Sequence, residues 1–292
     1  MTNVGIGSRA PGALEALQGA AQDRPPRVRF GRIWPWIVFI AGFLYFFLPL
    51  VATLEFSLRA RPSFAAYSNV LKDPQFSATL LYSFAVGVIT IIVSIAIIVP
   101  TAYWVRLRLP WLRPIVEFVT LMPFVIPPVI LAFGLIRSYS GAPFHLTNVS
   151  FGSDLLLVAA YTVLSFPYMY RAVDTGLRAI DVRTLTEAAQ SMGSGWGRIL
   201  IQVILPNLRV SLLSGAFLTL AIVIGEYTIA SFVIGQKAFG PYLSHLGQNK
   251  SYEPAAVSLI SFGLTWAAMG VIAFLGRSTQ GRRGGVQIAG GH

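Results

Sequence analysis

The chain has 292 residues, of which 55% are hydrophobic and only 11% are charged, and it contains no cysteine. Because a soluble domain usually carries about 25% charged residues, this composition indicates a membrane protein. The lack of cysteine excludes disulfide frameworks, thiolate metal sites and cysteine nucleophiles. The formal charge of +11 comes from Lys and Arg scattered in ones and twos around apolar runs, so it indicates membrane topology and not a nucleic-acid partner.

Two polar tails are predicted at the ends of the chain. Residues 1–32 are rich in Gly, Ala and Pro, contain several arginines and have few large apolar residues, which predicts a disordered cytoplasmic tail. A secretory signal would place its apolar core near the start, whereas the first apolar run here begins at Ile33. Residues 277–292 are predicted to form a second cytoplasmic tail.

Six apolar stretches predict an all-α membrane domain over residues 33–276, because about 20 apolar residues suffice to cross a bilayer. They are placed at about Ile33–Leu54, Thr79–Val105, Ile115–Ile136, Leu155–Tyr170, Ser211–Ile234 and Ala255–Leu275. With the N-terminus in the cytoplasm, 16 of the 22 Lys and Arg fall in the two tails and the two loops on that side. The positive-inside rule therefore predicts that both termini are cytoplasmic.

The third predicted span contains Pro123, Pro127 and Pro128, which lack the backbone donor that a continuous helix needs. Irregular backbone in a membrane is tolerated where it faces protein or a water-filled cavity. These prolines are therefore predicted to line a substrate pathway. A kink that serves packing alone is the alternative.

Glu226 lies inside the fifth predicted span, where it is followed by Tyr227 and Thr228. An ionised carboxylate at that depth is expensive unless it faces a cavity or a partner. Two interpretations stay open: a glutamate hydrogen-bonded to a neighbouring helix, or a contact to a cationic solute in transit. On the second interpretation, all three residues belong to the pathway.

The stretch from Asp181 to Pro206 is predicted to form a short helix, a tight turn and a second helical run. Thr184 with Glu187 fits a capping box at the first helix start, and Asp181 is the competing cap. Gly193 follows where that helix should stop and the chain reverse. Pro206 marks the end of the second run.

This stretch carries a family resemblance. Glu187-Ala188-Ala189, Gly193 and Val203-Ile204-Leu205-Pro206 stand at the spacing of the EAA loop, and the family prefers Ile at the position of Val203. The chain thus resembles the membrane-spanning permeases of binding-protein-dependent, type I ABC importers. The resemblance implies that the stretch couples the permease to an ATPase, through Asp181, Thr184, Glu187, Ala188, Ala189, Gly193 and Pro206.

The family also implies the setting in which the chain works. It implies the type I permease fold in a bacterial inner membrane, embedded in lipid and forming half of a solute pathway. The implied partners are a second permease, like or unlike, two ATPase subunits and a periplasmic solute-binding protein.

The solute is less sharply indicated than the family. The chain looks most similar to spermidine and putrescine permeases, on overall likeness, the segment Tyr67–Pro74 and the acid in the fifth span. Permeases for ferric iron, phosphonate-type solutes and thiamine are the alternatives. A different class is a secondary transporter driven by an ion gradient, in which Glu226 would be a proton site.

No sequence pattern indicates catalysis by this chain. A P-loop needs Gly-x-x-x-x-Gly-Lys-Ser/Thr, and none of Lys72, Lys237 and Lys250 has that context. ATP and magnesium are therefore expected on partner subunits, and the chain itself is expected to be no enzyme and to hold no cofactor. No His, Asp and Glu cluster has the spacing of metal ligands.

Overall fold

The computed structural model describes residues 30–143 and 145–277, which divide between two compact units, residues 1–52 and residues 53–292. The described residues contain helices and turns but no strand, which confirms the all-α prediction. The predicted tails lie outside the described residues except for residues 30–32 and Arg277, which are helical. The helices are α1 Phe30–Ser57, α2 Ala65–Lys72, α3 Pro74–Leu107, α4 Arg113–Val125, α5 Pro128–Tyr139, α6 Ser150–Arg178, α7 Val182–Ser191, α8 Trp196–Ile199, α9 Leu205–Asn207, α10 Arg209–Gly225, α11 Thr228–Val233, α12 Phe239–Asn249 and α13 Glu253–Arg277.

Helix α1 is a long apolar helix that agrees with the first predicted span. Its stretch Trp34–Ser57 has the length and hydropathy needed to cross a membrane. Trp36, Phe39, Phe43 and Phe47 recur every three or four residues, with successive ring centroids 6.1, 6.5 and 4.2 Å apart. This spacing places the four rings on one face of the helix.

Helices α3, α6 and α10 form the centre of the second unit. At Gly215 of α10, an added Cβ would lie 2.8 Å from Met169 Sδ of α6, so the glycine allows these two helices to approach closely. Helices α3 and α6 are joined by a buried hydrogen bond of 2.6 Å between the hydroxyls of Ser94 and Ser165. Helices α4 and α11, which carry candidate site residues, contact α6 of this centre. Helix α7 contacts α3 through the Thr186 and Tyr103 hydroxyls.

The third predicted span is broken into α4 and α5, which meet at an angle of 99°. The break falls at Ile126 and Pro127, whose ψ angles of 117° and 135° are extended. Pro128 starts α5, where a missing amide costs nothing, whereas Pro123 lies inside α4. The predicted break is confirmed, and it is caused by Pro127 and Pro128.

The fifth predicted span, Ser211–Ile234, is not one continuous helix. Helix α10 ends at Gly225, Glu226 has extended backbone angles of −74° and 126°, and α11 begins at Thr228. The break is stabilised because the Glu226 carboxylate accepts the free amides at the start of α11.

Helix α6 is longer than predicted, since it extends from Ser150 to Arg178 and includes Pro167. In the described residues, four helices are long and apolar enough to cross a membrane. The number rises to six if each of two bent pairs counts as one span, namely α4 with α5, and Trp196–Asn207 with α10, which bend by 99° and 79°. The six-span prediction agrees with that upper number.

Candidate functional site

Helix α7 begins at Asp181, which acts as its N-cap. Asp181 Oδ1 accepts the Thr184 backbone amide at 3.1 Å and Oδ2 accepts the Thr184 hydroxyl at 2.7 Å. The predicted capping box between Thr184 and Glu187 does not form, because Glu187 pairs with Arg183 at 2.8 Å instead. Hydrogen bonds from the Thr184 hydroxyl and amide lower the pKa of the Asp181 carboxyl below its ordinary value.

The same helix ends in the turn that the sequence predicted. Gly193 has a φ of 78°, in the left-handed region, and its amide donates to Gln190 O at 2.8 Å. The next amide, from Ser194, donates to Ala189 O at 3.0 Å. These two bonds form a Schellman motif, which fixes the end of α7 and requires the left-handed glycine.

One face of α7 packs on the end of the central bundle. Val182, Thr186 and Ala189 are buried on this face, and the Thr186 hydroxyl is hydrogen-bonded to the Tyr103 hydroxyl of α3 at 3.0 Å. The opposite face carries Ala188 and the exposed pair Arg183–Glu187. Of the two alanines in the motif, Ala188 is therefore accessible to another chain, while Ala189 packs inside this one.

The second run of the loop starts at Trp196 and lies against α3. The ring centroids of Trp196 and Trp104 lie 4.9 Å apart, and the Arg108 guanidinium lies 5.1 Å from the centroid of the Trp196 ring. A π-helical turn, Leu200–Ile204, follows, and Pro206 lies in α9 just before the chain bends into α10. Aromatic stacking thus holds the loop against the bundle.

Glu226 is hydrogen-bonded to three groups of its own chain. Its Oε1 accepts the Ile229 amide at 2.8 Å, and its Oε2 accepts the Ala230 amide and the Tyr161 hydroxyl, each at 3.1 Å. The carboxylate therefore compensates the helix dipole of α11 and ties α11 to α6. This geometry agrees with the first of the two sequence-based interpretations, a glutamate hydrogen-bonded to a neighbouring helix.

The candidate pathway residues come together on neighbouring elements. Helix α5, which starts at Pro128, packs against α11, which starts at Thr228, with the rings of Phe133 and Phe232 4.8 Å apart. Tyr227 is 49% exposed at the break that precedes α11. Two helix breaks, one at Pro127 and one at Glu226, therefore flank one packed pair of short helices.

Two charged clusters were not predicted from the sequence. In the first, Lys237 donates to both oxygens of Asp154 at 2.7 Å, and the Tyr82 hydroxyl shares Asp154 Oδ1. In the second, Asp174 accepts from Arg113 at 3.3 Å and Arg178 at 2.6 Å. Two four-residue spacings could have indicated the second cluster, Arg113 with Glu117 in α4 and Asp174 with Arg178 in α6. The other contacts join distant parts of the chain. Within the described residues, no group of acids and histidines is suited to hold a metal.

Comparison with known proteins decides the family. Residues 96–282 match the model of the binding-protein-dependent transport system inner membrane component, which covers more than half of the chain. The chain belongs to this family of ABC importer permeases.

Individual relatives differ in the solute that their names give. The permease is 28% identical over 232 residues to the molybdenum transport system permease protein ModB of Escherichia coli K12, covering 74% of this chain and 99% of that relative. It is 27% identical over 187 residues to the spermidine/putrescine transport system permease protein PotC homolog of Mycoplasma pneumoniae, covering 62% and 63%. Relatives named for molybdenum and for polyamines are thus both present, so the resemblance is not specific to the polyamine group.

A solved structure supports the fold. A bacterial ABC transporter involved in the import of the acidic polysaccharide alginate matches with a TM-score of 0.63 and 14% identity. The match covers 86% of this permease and 97% of that chain. The permease therefore has the fold of an ABC importer permease. Its family and its long apolar helices indicate that it is embedded in a membrane.

Proposed function

We propose that this permease couples solute import to an ATPase through the exposed face of α7. The observation that carries the proposal is a short helix fixed at both ends, by the Asp181 cap and the Gly193 turn, and held on α3 by its buried face. Because this surface is fixed, a displacement of Glu187 and Ala188 by a partner is transmitted to the bundle. In this scheme ATP and magnesium are bound by two ATPase subunits, and a second permease and a solute-binding protein complete the importer.

The test replaces Gly193 by Val, with Gly193→Asn as the matched control. No atom lies within 4 Å of a Cβ added at Gly193, so the effect of substitution comes from the left-handed backbone alone. A β-branched residue there costs about 1–2 kcal/mol, whereas Asn tolerates this conformation. We expect Gly193→Val to lose co-purifying ATPase and solute-stimulated hydrolysis, and Gly193→Asn to keep both. Wild-type coupling in Gly193→Val would contradict the role of α7.

For the solute, we favour molybdenum in its aqueous form, the molybdate oxyanion. The ModB relative is matched over 99% of its length, which supports this choice. The main sequence argument for a cation was an unpaired acid in the membrane, and Glu226 has three partners of its own. The argument for a cation is therefore weak.

A polyamine is the second candidate, because the PotC homolog is among the relatives. Uptake of labelled molybdate and labelled spermidine, in cells with and without the complete importer, separates the two. We expect molybdate uptake to depend on the chain and to be lost in Gly193→Val. Spermidine uptake that depends on the chain, without molybdate uptake, would reverse the assignment.

We place the solute pathway along the bent pair α4–α5 and the break before α11. Pro123, Pro127 and Pro128 shape the first element, and Glu226, Tyr227 and Thr228 form the second. The position of Tyr227 at the break supports this placement, since the residue is 49% exposed there. In this scheme Glu226 positions the break and does not bind the solute. Glu226→Gln should then assemble and transport at close to the wild-type rate.

A further inference from the structure

A cavity of about 400 Å³ lies between the start of α4 and the end of α6, at the end of the bundle that carries α7. Its walls are two helical stripes. On α6 the lining residues Arg171, Asp174, Thr175 and Arg178 follow the spacing of one helix face, and on α4 Glu117, Thr120 and Leu121 do the same. The volume is within the range of about 300–1,000 Å³ that small-molecule sites occupy. We name it the interfacial cavity.

The length of α6 places this cavity where the hydrocarbon of the bilayer meets its headgroups. A helix of 29 residues rises about 43 Å, while the hydrocarbon core is about 30 Å thick. The helix exceeds the core by about 13 Å, and its charged last two turns, from Arg171 to Arg178, are the part that suits the headgroup region. Leu121 and Pro167 line the cavity on its apolar side. The interfacial cavity thus has one charged end and one apolar end.

The charged end carries both signs. Arg171 forms no ion pair with any residue in the described part of the chain, so its donors are available to an anion. Asp174 is 16% exposed and already accepts from Arg113 and Arg178. Glu117 is 43% exposed and uses only Oε1, for Arg113 at 2.9 Å, while Oε2 accepts no hydrogen bond from the described residues. A free cation and a half-free carboxylate therefore face the same space.

We propose that the interfacial cavity binds the headgroup of a phospholipid that carries both a phosphate and a primary ammonium, the headgroup of phosphatidylethanolamine. The phosphate accepts from Arg171 and from the remaining donors of Arg178, because guanidinium groups bind phosphate through paired hydrogen bonds. The ammonium donates to Glu117 Oε2, and the acyl chains leave over Leu121 into the hydrocarbon. This inference concerns the lipid around the permease and does not depend on the proposed coupling or solute.

The headgroup chemistry makes the proposal selective. Phosphatidylcholine has the same phosphate, but its trimethylated nitrogen has no hydrogen to donate to Glu117. Phosphatidylglycerol has the phosphate and no cation at all. Of these three headgroups, only ethanolamine satisfies both Arg171 and Glu117.

The test uses the full-length permease in its complex, reconstituted in phosphatidylcholine vesicles with a small fraction of photoactivatable lipid. Mass spectrometry then measures covalent capture on peptides that contain residues 113–121 and 167–178. We expect the ethanolamine lipid to be captured about tenfold more than the choline or glycerol lipid, equivalent to about 1.4 kcal/mol. Glu117→Gln should remove this preference, because it removes the partner of the ammonium. Arg171→Gln should lower the capture of all three lipids, because each of them carries the phosphate. Arg59→Gln, which removes an exposed arginine paired with Glu55, should not.

Three outcomes would overturn the proposal. One is equal capture of the three lipids by the wild type, and another is an unchanged preference in Glu117→Gln. The third is capture of a soluble photoactivatable glycerophosphoethanolamine as efficiently as of the ethanolamine lipid, which would show that the free headgroup, and not a membrane lipid, is the ligand. The uptake assay with labelled molybdate is independent of all three, so failure of one proposal does not decide the other.

Discussion

Glu226 stabilises the break between α10 and α11 through backbone contacts. A helix start leaves several amides without partners, and burial of such amides is costly unless an acceptor is supplied. Glu226 supplies both of its oxygens to the first turn of α11 and also accepts from Tyr161. A single side chain therefore compensates the interruption of a helix.

Replacement of Glu226 by Ala tests this role. Loss of a capping side chain costs about 0.5–2 kcal/mol, so the thermal unfolding temperature of the purified complex should fall. Glu226→Gln retains one acceptor oxygen, so its unfolding temperature should fall less than that of Glu226→Ala. Tyr161→Phe removes one of the three hydrogen bonds and serves as the control for that bond alone. Equal unfolding temperatures for Glu226→Ala and wild type would show that the cap contributes nothing.

Asp181 gives α7 a defined pH dependence. The pKa of its carboxyl is lowered in the folded state, so its stabilising contribution is present above the unfolded pKa of 3.8 and is lost as the pH falls through the folded pKa. Because the chain has no cysteine, a spin label at Gln190→Cys reports on α7 alone. We expect the label to gain mobility only below about pH 4, because the pKa of Asp181 lies below its ordinary value of 3.8. Asp181→Asn keeps a capping group without a charge and should show no such step.

At the scale of elements, glycines decide which helices can approach. At Gly240 of α12, an added Cβ would lie 2.3 Å from the backbone oxygen of Glu226. At Gly263 of α13, an added Cβ would meet nothing within 4 Å. Gly240 therefore allows α12 to contact the break before α11, whereas Gly263 faces open space.

These two glycines form a matched pair for a stability measurement. Gly240→Ala forces backbone to shift and should destabilise the fold by about 1–3 kcal/mol, the usual cost of overpacking. Gly263→Ala should be neutral or slightly stabilising, because Ala favours the helix by about 1 kcal/mol relative to Gly. Thermal unfolding of the two variants in the same detergent gives the comparison. Equal effects would contradict the close contact at Gly240.

The elements that the sequence predicts well are those with local causes. The break at Pro127 and the turn at Gly193 follow from missing amides and a left-handed backbone, and both are present. At the end of α10, by contrast, the Glu226 carboxylate also accepts from Tyr161, which is 65 residues away. Asp154 and Lys237 are separated by 83 residues. No local pattern encodes such contacts, so the sequence identified Glu226 as unusual but not the backbone around it.

The choice of cap for α7 illustrates the same limit at short range. Asp181 and Thr184 are both good capping residues, and both occur at suitable positions. Glu187 could have reached back to Thr184, but Arg183 lies one turn before it on the exposed face and pairs with it. Asp181 therefore caps α7 because Arg183, which is not part of the capping pattern, pairs with Glu187.

At the scale of the whole molecule, the bent pair α4–α5 determines the topology. If the pair crosses the membrane, the turn after α3 and the segment before α6 lie on opposite sides. If the pair is a re-entrant loop, the turn after α3 and the segment before α6 lie on the same side. Because α6 then crosses the membrane, α7 lies on the side opposite the turn after α3. The distribution of Lys and Arg favours a crossing, because it places the basic turn after α3 and the basic loop around α7 together.

Single cysteines introduced into this cysteine-free chain measure the topology directly. Leu109, Asn148 and Gln190 are exposed in turns or on the exposed face of α7, so a membrane-impermeant maleimide can reach each of them. For six crossings with cytoplasmic termini, we expect intact cells to be labelled at Asn148→Cys, and Leu109→Cys and Gln190→Cys to be labelled only after the inner membrane is opened. Labelling of Gln190→Cys in intact cells, together with protection of Asn148→Cys, would mean that α4–α5 re-enters on the cytoplasmic side. That result would place α7 outside the cell, where no ATPase could contact it.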